Sequence, residues 1–395
     1  MISVEEALEI ILSKPGNYGT EKVSLQHVLH RFLAEDIFAD RDSPPYDRVM
    51  MDGIAINSSA LSTEQPNIFF IESIQAAGDT QKILQQNHHC IEVMTGAILP
   101  VNTDTVIPYE QIDIIDKRAF SKQSVVPKKH IHRQGSDYKK DALALQKGKR
   151  LTAADVGLLA AMGVVRVTVF GLPKIAIVAT GNELVTVETI PESHQIRMSN
   201  VYSLQASLQL DCIDADIVHI NDNKATLFSQ LSEIVKNYDV VLISGGVSKG
   251  KYDFVPAILE KLDVQKLFHQ VAQKPGKPFW FGHHPVLNTQ VFAFPGNPVS
   301  TFVCFHFYFR QWLFHSFGNG LKLPLVQLSG AITASGSLSQ FIPVKINSHD
   351  NNVSATLNNG SGDLFSLAVT DGFIYLPKGE KTHPAKTMFS FLTIN

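Results

Sequence analysis

The loop Ser244-Gly245-Gly246-Val247-Ser248-Lys249-Gly250 has the composition of a phosphate cradle. Its glycines let backbone N–H groups approach an anion, and its serines add hydroxyl donors. The Gly-Lys-Ser/Thr order of a Walker A loop is absent. The bland alternative is a Gly-rich strand-to-helix turn without a ligand. Lys274-Pro275-Gly276-Lys277-Pro278 puts two cations on a stiff turn, because proline fixes φ and limits where the lysines can go. Beside a phosphate cradle they suit an oligo-anionic ligand. Read alone, the segment is a solvated turn. Glu183, Asp222 and Asp253 are carboxylates that could hold Mg2+ against bound phosphate, although Asp222 could equally cap a helix. His88-His89, His130/His132 and His283-His284 have no cysteine at ligand spacing and read as loop residues. His27 and His30 lie one helical turn apart on a wet face. Asp52-Gly53 has the local chemistry of a hairpin turn.

Four short apolar runs stand directly before these residues: Lys174–Ala179, Asp214–Ile220, Val240–Ile243 and Val291–Phe294. Between the second and third, Leu227, Leu231, Ile234, Val235 and Tyr238 mark one helix face. Strand and helix in alternation predict a doubly wound, mostly parallel α/β sheet. Ligands of such sheets bind outside the carboxyl ends of the strands. The segments following the runs are Thr180-Gly181-Asn182-Glu183, Asn221-Asp222-Asn223, the Ser244 loop and Pro295-Gly296-Asn297-Pro298. They should therefore converge on one edge.

The rest of the chain must position this edge. Residues 1–40 and 138–170 are expected to form a discontinuous linking domain, mixed and partly helical. Ser3 and Glu6 have capping-box spacing ahead of Val4, Ala7, Leu8, Ile11 and Leu12. Ala154, Leu158, Leu159 and Met162 mark a second helix, expected to pack with the first. Residues 41–137 read as a β-rich domain, 171–320 as the α/β domain and 321–395 as a C-terminal β domain. The last carries strand-like runs at Gln340–Ile346, Val353–Leu357, Gly372–Leu376 and Met388–Leu392.

The chain has 395 residues, 44% hydrophobic and 18% charged, enough apolar content to fill several cores. A net charge of -3 argues against a broad basic surface for duplex nucleic acid. Cys90, Cys212 and Cys304 are odd in number and far apart, which fits a reducing cytoplasm. The acidic N-terminus lacks the basic start of an export signal. Val299–Phe317 is apolar, but it contains His306, Arg310, Gln311 and His315. An arginine inside a span costs at least about 2.5 kcal/mol, so a buried helix is expected and no membrane association.

Taken in order, these motifs resemble the MoeA family, the molybdopterin molybdenumtransferases, and the E domain of gephyrin. The likeness runs through Pro45 to Met51-Asp52-Gly53-Ile54-Ala55, Thr95-Gly96-Ala97-Ile98-Leu99-Pro100, and Glu110 after Asp104. It continues in Arg133-Gln134-Gly135-Ser136-Asp137, Thr180-Gly181-Asn182-Glu183-Leu184, Ser199-Asn200 and the Ser244–Ser248 loop with Asp253. Lys274–Pro278 and Pro295-Gly296-Asn297-Pro298-Val299-Ser300 complete it. Each motif is weak alone; their order across the whole chain is specific.

The resemblance implies an L-shaped homodimer of four-domain subunits and a Mg2+-dependent reaction. Molybdate and adenylylated molybdopterin would yield molybdenum cofactor and AMP. It assigns Asp52, Thr95, Arg133 and Asp137 to one subunit's share of the site. Glu183, Asp222, Asp253, Lys274 and Lys277 belong to the other's. Asp52, Asp137, Glu183, Asp222 and Asp253 are the expected catalytic carboxylates, the last three also metal ligands. Thr95, Arg133, Thr180, Gly181, Ser199, Asn200, Ser244, Gly245, Gly246, Ser248, Lys274, Lys277 and Pro295 to Pro298 are the expected ligand contacts. Molybdopterin adenylyltransferase and molybdoenzyme apoproteins are the implied partners. The chain departs from the family pattern at Val49-Met50-Met51, at Asn182 in place of Asp, and at Gln270 in place of a basic residue. Phe341-Ile342-Pro343-Val344 also lacks a usual Arg. Two competing readings are the adenylyltransferase that precedes this step, whose length would not require residues 1–150, and a non-catalytic scaffold.

Overall fold

The computed structural model describes all residues except 63–65, 249–252, 335, 348, 350, 351, 357, 358, 380 and 395. Lys249 and Gly250 of the glycine loop, and Leu357, lie outside the described residues. The chain divides into two compact units. One comprises residues 1–35, 147–153 and 166–395; the other comprises 36–146 and 154–165.

The first unit is organised by six strands: β1 Ile175–Thr180, β2 Ala215–Ile220, β3 Val240–Ser244, β4 Gln265–His269, β5 Trp280–His283 and β6 Gln290–Phe294. Their order is β2-β1-β3-β6-β5-β4. The first four are mutually parallel, with Ile175 opposite both Ala215 and Val240, and Val240 opposite Gln290. β5 and β4 add on as antiparallel strands. β1, β3 and β6 are buried at every residue, which is why they read as unbroken apolar runs rather than alternating ones.

Helices cover both faces. The helix α1, Val4–Leu12, starts at Ser3 with both arms of the capping box in place: Glu6 N–H donates to Ser3 Oγ at 3.1 Å, and Ser3 N–H to Glu6 Oε2 at 2.7 Å. Its buried Val4, Ala7 and Ile11 join a core with Phe281, Phe292, Trp312 and Leu313, so α1 packs on the α/β body. On the other face Leu227, Leu231 and Val235 of α2, Lys224–Asn237, meet Val241, Ile243 and Val291. The apolar stretch after Pro298 is a buried helical run whose middle turn, Phe305–Phe309, widens to π. Arg310 within it donates to Asp211 at 3.0 and 3.1 Å, a buried bidentate pair. Among the described residues no helix is long and apolar enough to cross a membrane.

Thr20–Ser24 pairs antiparallel with Arg166–Phe170, closing the linking segments on one another. The C-terminal sheet runs Gln273–Lys274, Ser339–Ile346, Gly372–Leu376, Met388–Thr393, Leu325–Gln327, with Val353–Ala355 also on the second strand. Its edge partner Gln273–Lys274 comes from the α/β domain, in parallel register with Ser339–Gln340.

The second unit holds a six-stranded sheet in the order Thr105–Pro108, Gly53–Ile56, His89–Val93, Ile68–Gln75, Arg118–Ser121, Ile112–Ile115. Asp52-Gly53 is not a hairpin tip here. A strand begins at Gly53, whose backbone lies so close to the Ile107 carbonyl that a Cβ would sit 2.0 Å from its oxygen. Tertiary approach, not turn chemistry, selects this glycine.

Candidate functional site

The carboxyl ends of β1, β2, β3 and β6 open on one cavity of about 490 Å3. Thr180, Gly181 and Glu183 reach it from the end of β1, and Asp222 from the end of β2. Ser244, Gly245, Gly246 and Ser248 follow β3, and Pro295, Gly296, Asn297 and Pro298 follow β6. Ser199 and Asn200 at the start of helix Asn200–Gln209 and Asp253 complete the wall. Lys274 and Lys277 line an adjoining groove of about 450 Å3 that shares Pro278, Pro295 and Asn297 with the first. Both lysines are exposed, and among the described residues neither is paired with a carboxylate.

The glycine loop turns through positive φ at Gly245 (+101°) and Gly246 (+68°). A Cβ on Gly246 would lie 2.7 Å from Val255 Cγ2 and 2.9 Å from Thr180 Oγ1, so only glycine fits there. Thr180 Oγ1 is buried beneath the loop with no hydrogen-bond partner among the described residues. His269 Nε2 meets the Val247 carbonyl at 2.8 Å, and His219 Nε2 the Gly181 carbonyl at 2.9 Å. Two histidines that the sequence left unassigned thus brace the two Gly loops.

Asn200 Nδ2 donates to Gly296 O at 2.7 Å, Ser244 Oγ at 2.8 Å and Thr301 Oγ1 at 3.2 Å. Its amide nitrogen is committed to tying three walls together, which makes its part in this state architectural. Asp222 is not the cap of α2: Asn223 Oδ1 accepts from the N–H groups of Ala225 and Thr226 at 3.0 and 3.1 Å. The Asp222 carboxyl is left at the cavity, while its backbone N–H donates to Asn182 Oδ1 at 3.0 Å. An amide oxygen at 182 therefore makes the bond that a carboxylate there would make. Burial, then the nearby Glu183 charge, raises the Asp222 carboxyl above its ordinary value, with Asp253 adding to the effect. Among the described residues no three His, Cys, Asp or Glu side chains already converge as a metal cluster.

The second unit gathers its own share. Val49 N–H donates to Ala97 O and Gly96 N–H to Val49 O, both at 2.9 Å, and Arg48-Val49 pairs with Ile131-His132. These bonds place the segments around Asp52, Thr95 and Arg133 side by side. Asp52 Oδ1 accepts from Thr95 N–H at 2.6 Å and Thr95 Oγ1 at 2.7 Å, which holds this exposed carboxyl below its usual range. Arg133 donates to Asp47 at 2.5 Å. Asp137 meets His132 Nε2 at 2.8 Å.

Sequence reasoning missed three wall elements. Ile196 and Met198 give the cavity an apolar side, and Arg197, just before Ser199-Asn200, lies between them. The groove's far wall is Leu338, Gln340, Phe341, Ile342, Pro343 and Ser361 of the C-terminal domain. Asn297 Nδ2 donates to Ser361 Oγ at 2.8 Å. The Pro343 departure from the family pattern thus faces the lysines, whereas Gln270 is not among the lining residues.

Residues 2–163 match the family profile described as MoeA N-terminal region (domain I and II), and residues 176–315 match probable molybdopterin binding domain. Residues 326–385 match MoeA C-terminal region (domain IV). A molybdopterin molybdenumtransferase of Synechocystis is 36% identical, with 99% of each chain covered. One of Bacillus subtilis is 30% identical over 100% of this chain and 94% of that protein. The crystal structure of the molybdopterin biosynthesis moeA protein of Pyrococcus horikoshii OT3 superposes with a TM-score of 0.85 at 26% identity, covering 99% of both chains. With matched profiles on all three regions and full-length relatives at 36% and 30% identity, the chain belongs to the MoeA family of molybdopterin molybdenumtransferases.

Proposed function

We infer that this chain is a transferase of molybdenum-cofactor biosynthesis that inserts molybdenum into molybdopterin, and we propose that it works on adenylylated molybdopterin and molybdate with release of AMP. The observation that carries the finer reading is the convergence of the glycine loop and three carboxylates on one cavity, with two lysines on the groove beside it. Molybdate and a pyrophosphate are both anions. Lys274 and Lys277 raise their local concentration, and the backbone N–H groups of the Ser244–Ser248 loop orient the phosphate end. The apolar Ile196 and Met198 side suits a flat ring.

Glu183, Asp222 and Asp253 do not converge as a three-carboxylate site among the described residues, but one or two of them could hold a divalent cation that the pyrophosphate also ligates. The Asp222 carboxyl is raised by burial first and by the charges of Glu183 and Asp253 second, and a cation would relieve the second part. Mg2+ typically takes only one or two protein carboxylates, the remaining ligands being phosphate oxygens and water. When bound, the ion would neutralise charge on the pyrophosphate. The protein's own part is to hold dithiolene and molybdate in contact, so that much of the barrier is removed by proximity. No protein nucleophile is required. We further propose a cytoplasmic homodimer in which the residues around Asp52, Thr95, Arg133 and Asp137 act with the cavity of a second copy.

The test uses purified protein, adenylylated molybdopterin, Mg2+ and molybdate, following AMP release together with activation of a cofactor-free molybdoenzyme. Both signals should require molybdate. Ligand binding with neither signal would overturn the activity and leave the scaffold reading.

A further inference from the structure

Gln273 is completely buried directly beneath the lysine turn. A buried primary amide must have its donors and acceptors matched, and this one is matched in a definite direction. The Tyr308 phenol is buried, and burial drives its ionisation well above the ordinary value, so it keeps its proton and donates it to Gln273 Oε1. That fixes the amide, leaving Nε2 to donate to the Pro275 carbonyl at 3.0 Å, with Cys304 Sγ 3.6 Å away. The Cys304 thiol is also kept protonated by burial, and it donates to the Gly276 carbonyl at 3.9 Å. The Lys277 carbonyl accepts the N–H groups of Val271 and Phe279 at 3.0 and 2.9 Å. Three consecutive carbonyls of the turn are therefore bound to the interior. The fit is close: Gly276 has φ +92°, and a Cβ there would lie 2.7 Å from both Cys304 Sγ and Gln273 Nε2.

We propose that Gln273 and Tyr308, with Cys304, are positioning residues for the oxyanion groove, holding the carbonyls of Pro275 and Gly276 inward, as the backbone holds that of Lys277, so that Lys274 and Lys277 meet the anion unopposed. The inference rests on the proposed function and adds to it that the lysine groove is the molybdate-binding part of the site. A peptide carbonyl is the negative end of a dipole of about 3.5 D. Turned into the groove, it would repel an oxyanion and compete for the ammonium groups. A purely packing role would be served by apolar side chains, which carry no desolvation penalty; three polar groups buried in sequence serve to direct something.

The test compares Tyr308→Phe, Gln273→Leu and Lys274→Ala in the full-length protein. Tyr308→Phe removes only the hydroxyl and keeps the ring packed on Phe279, 5.0 Å away between centroids. The expected result for Tyr308→Phe and Gln273→Leu is a KM for molybdate raised by about tenfold, with kcat and the KM for adenylylated molybdopterin unchanged. Calorimetric titration with molybdate alone should show the same loss of affinity. If Lys274→Ala weakens molybdate binding and neither other variant does, the positioning role is overturned while the groove reading stands. If Lys274→Ala leaves molybdate binding unchanged, both fall. A drop in kcat and thermal stability with molybdate KM intact would also overturn the proposal, because it marks a structural role alone.

Discussion

Asp222 is held in its position against its own electrostatics. Its carboxyl is raised by burial and by Glu183 and Asp253. A carboxyl with a folded value above its unfolded one opposes folding once it ionises: stability is full below the unfolded value and is lost as pH rises through the folded one. Asp222→Asn should therefore raise the thermal midpoint at pH 7, and the gain should vanish near pH ~3, where the wild-type carboxyl is protonated in both states. Melting curves across that range check it. Catalytic activity should fall in the same variant, the trade expected of a destabilised functional group. Asp52 is the opposite case, with two bonds from Thr95 keeping it ionised. Asp52→Ala and Asp253→Ala should each lower AMP release by at least ~100-fold with the circular dichroism spectrum unchanged. Full activity in either would remove that residue from the site. At this scale the sequence shows which residue types stand after each strand, but not their partners. Nothing local to Asp222 says that its neighbour Asn223 takes the cap, and nothing near Asn200 says that its amide spans three walls.

At the scale of elements, α2 offers a separation of architecture from chemistry. Asn223→Ala removes the side-chain oxygen that receives two backbone donors and should cost about 1 kcal/mol, read as a lowered denaturant midpoint, with Asn223→Ser restoring most of it. Three strands are legible because their burial is uniform, whereas α1 and α2 are legible from one apolar face. Every residue of β1, β3 and β6 is buried, so the apolar run itself is the strand, and each run ends at loop residues that line the cavity. The π turn at Phe305–Phe309 was not legible, because an apolar stretch that is buried all round has no periodicity to disturb. Gly53 misleads for the converse reason: its Asp-Gly step has turn chemistry, yet the constraint comes from Ile107. The C-terminal wall of the lysine groove depends on the parallel pairing of Gln273–Lys274 with Ser339–Gln340, a non-local event without a sequence signature.

At the scale of the molecule, the functional motifs fall in both units: Asp52, Thr95, Arg133 and Asp137 in one, the cavity and its lysines in the other. The proposed homodimer is checked by light scattering at micromolar concentration, where a mass near twice the 43.6 kDa of one chain is expected. A persistent monomer would remove the second copy from the mechanism.

The order in which the chain is strung through its units has a consequence for how it is made. The second unit has all its residues once position 165 has been synthesised. The first begins with α1 but closes its core on Trp312, Phe341 and Leu392, and Trp312 Nε1 donates to the Lys14 carbonyl across 298 residues. At about 5–20 residues per second, roughly 15–60 s separate the two ends of that bond on the ribosome. During this interval the inserted unit is free to fold, while the apolar stripe of Val4, Ala7 and Ile11 still lacks Trp312 and Leu313, part of the core it joins. α1 is thus translated well before Trp312 and Leu313, with which it shares its core.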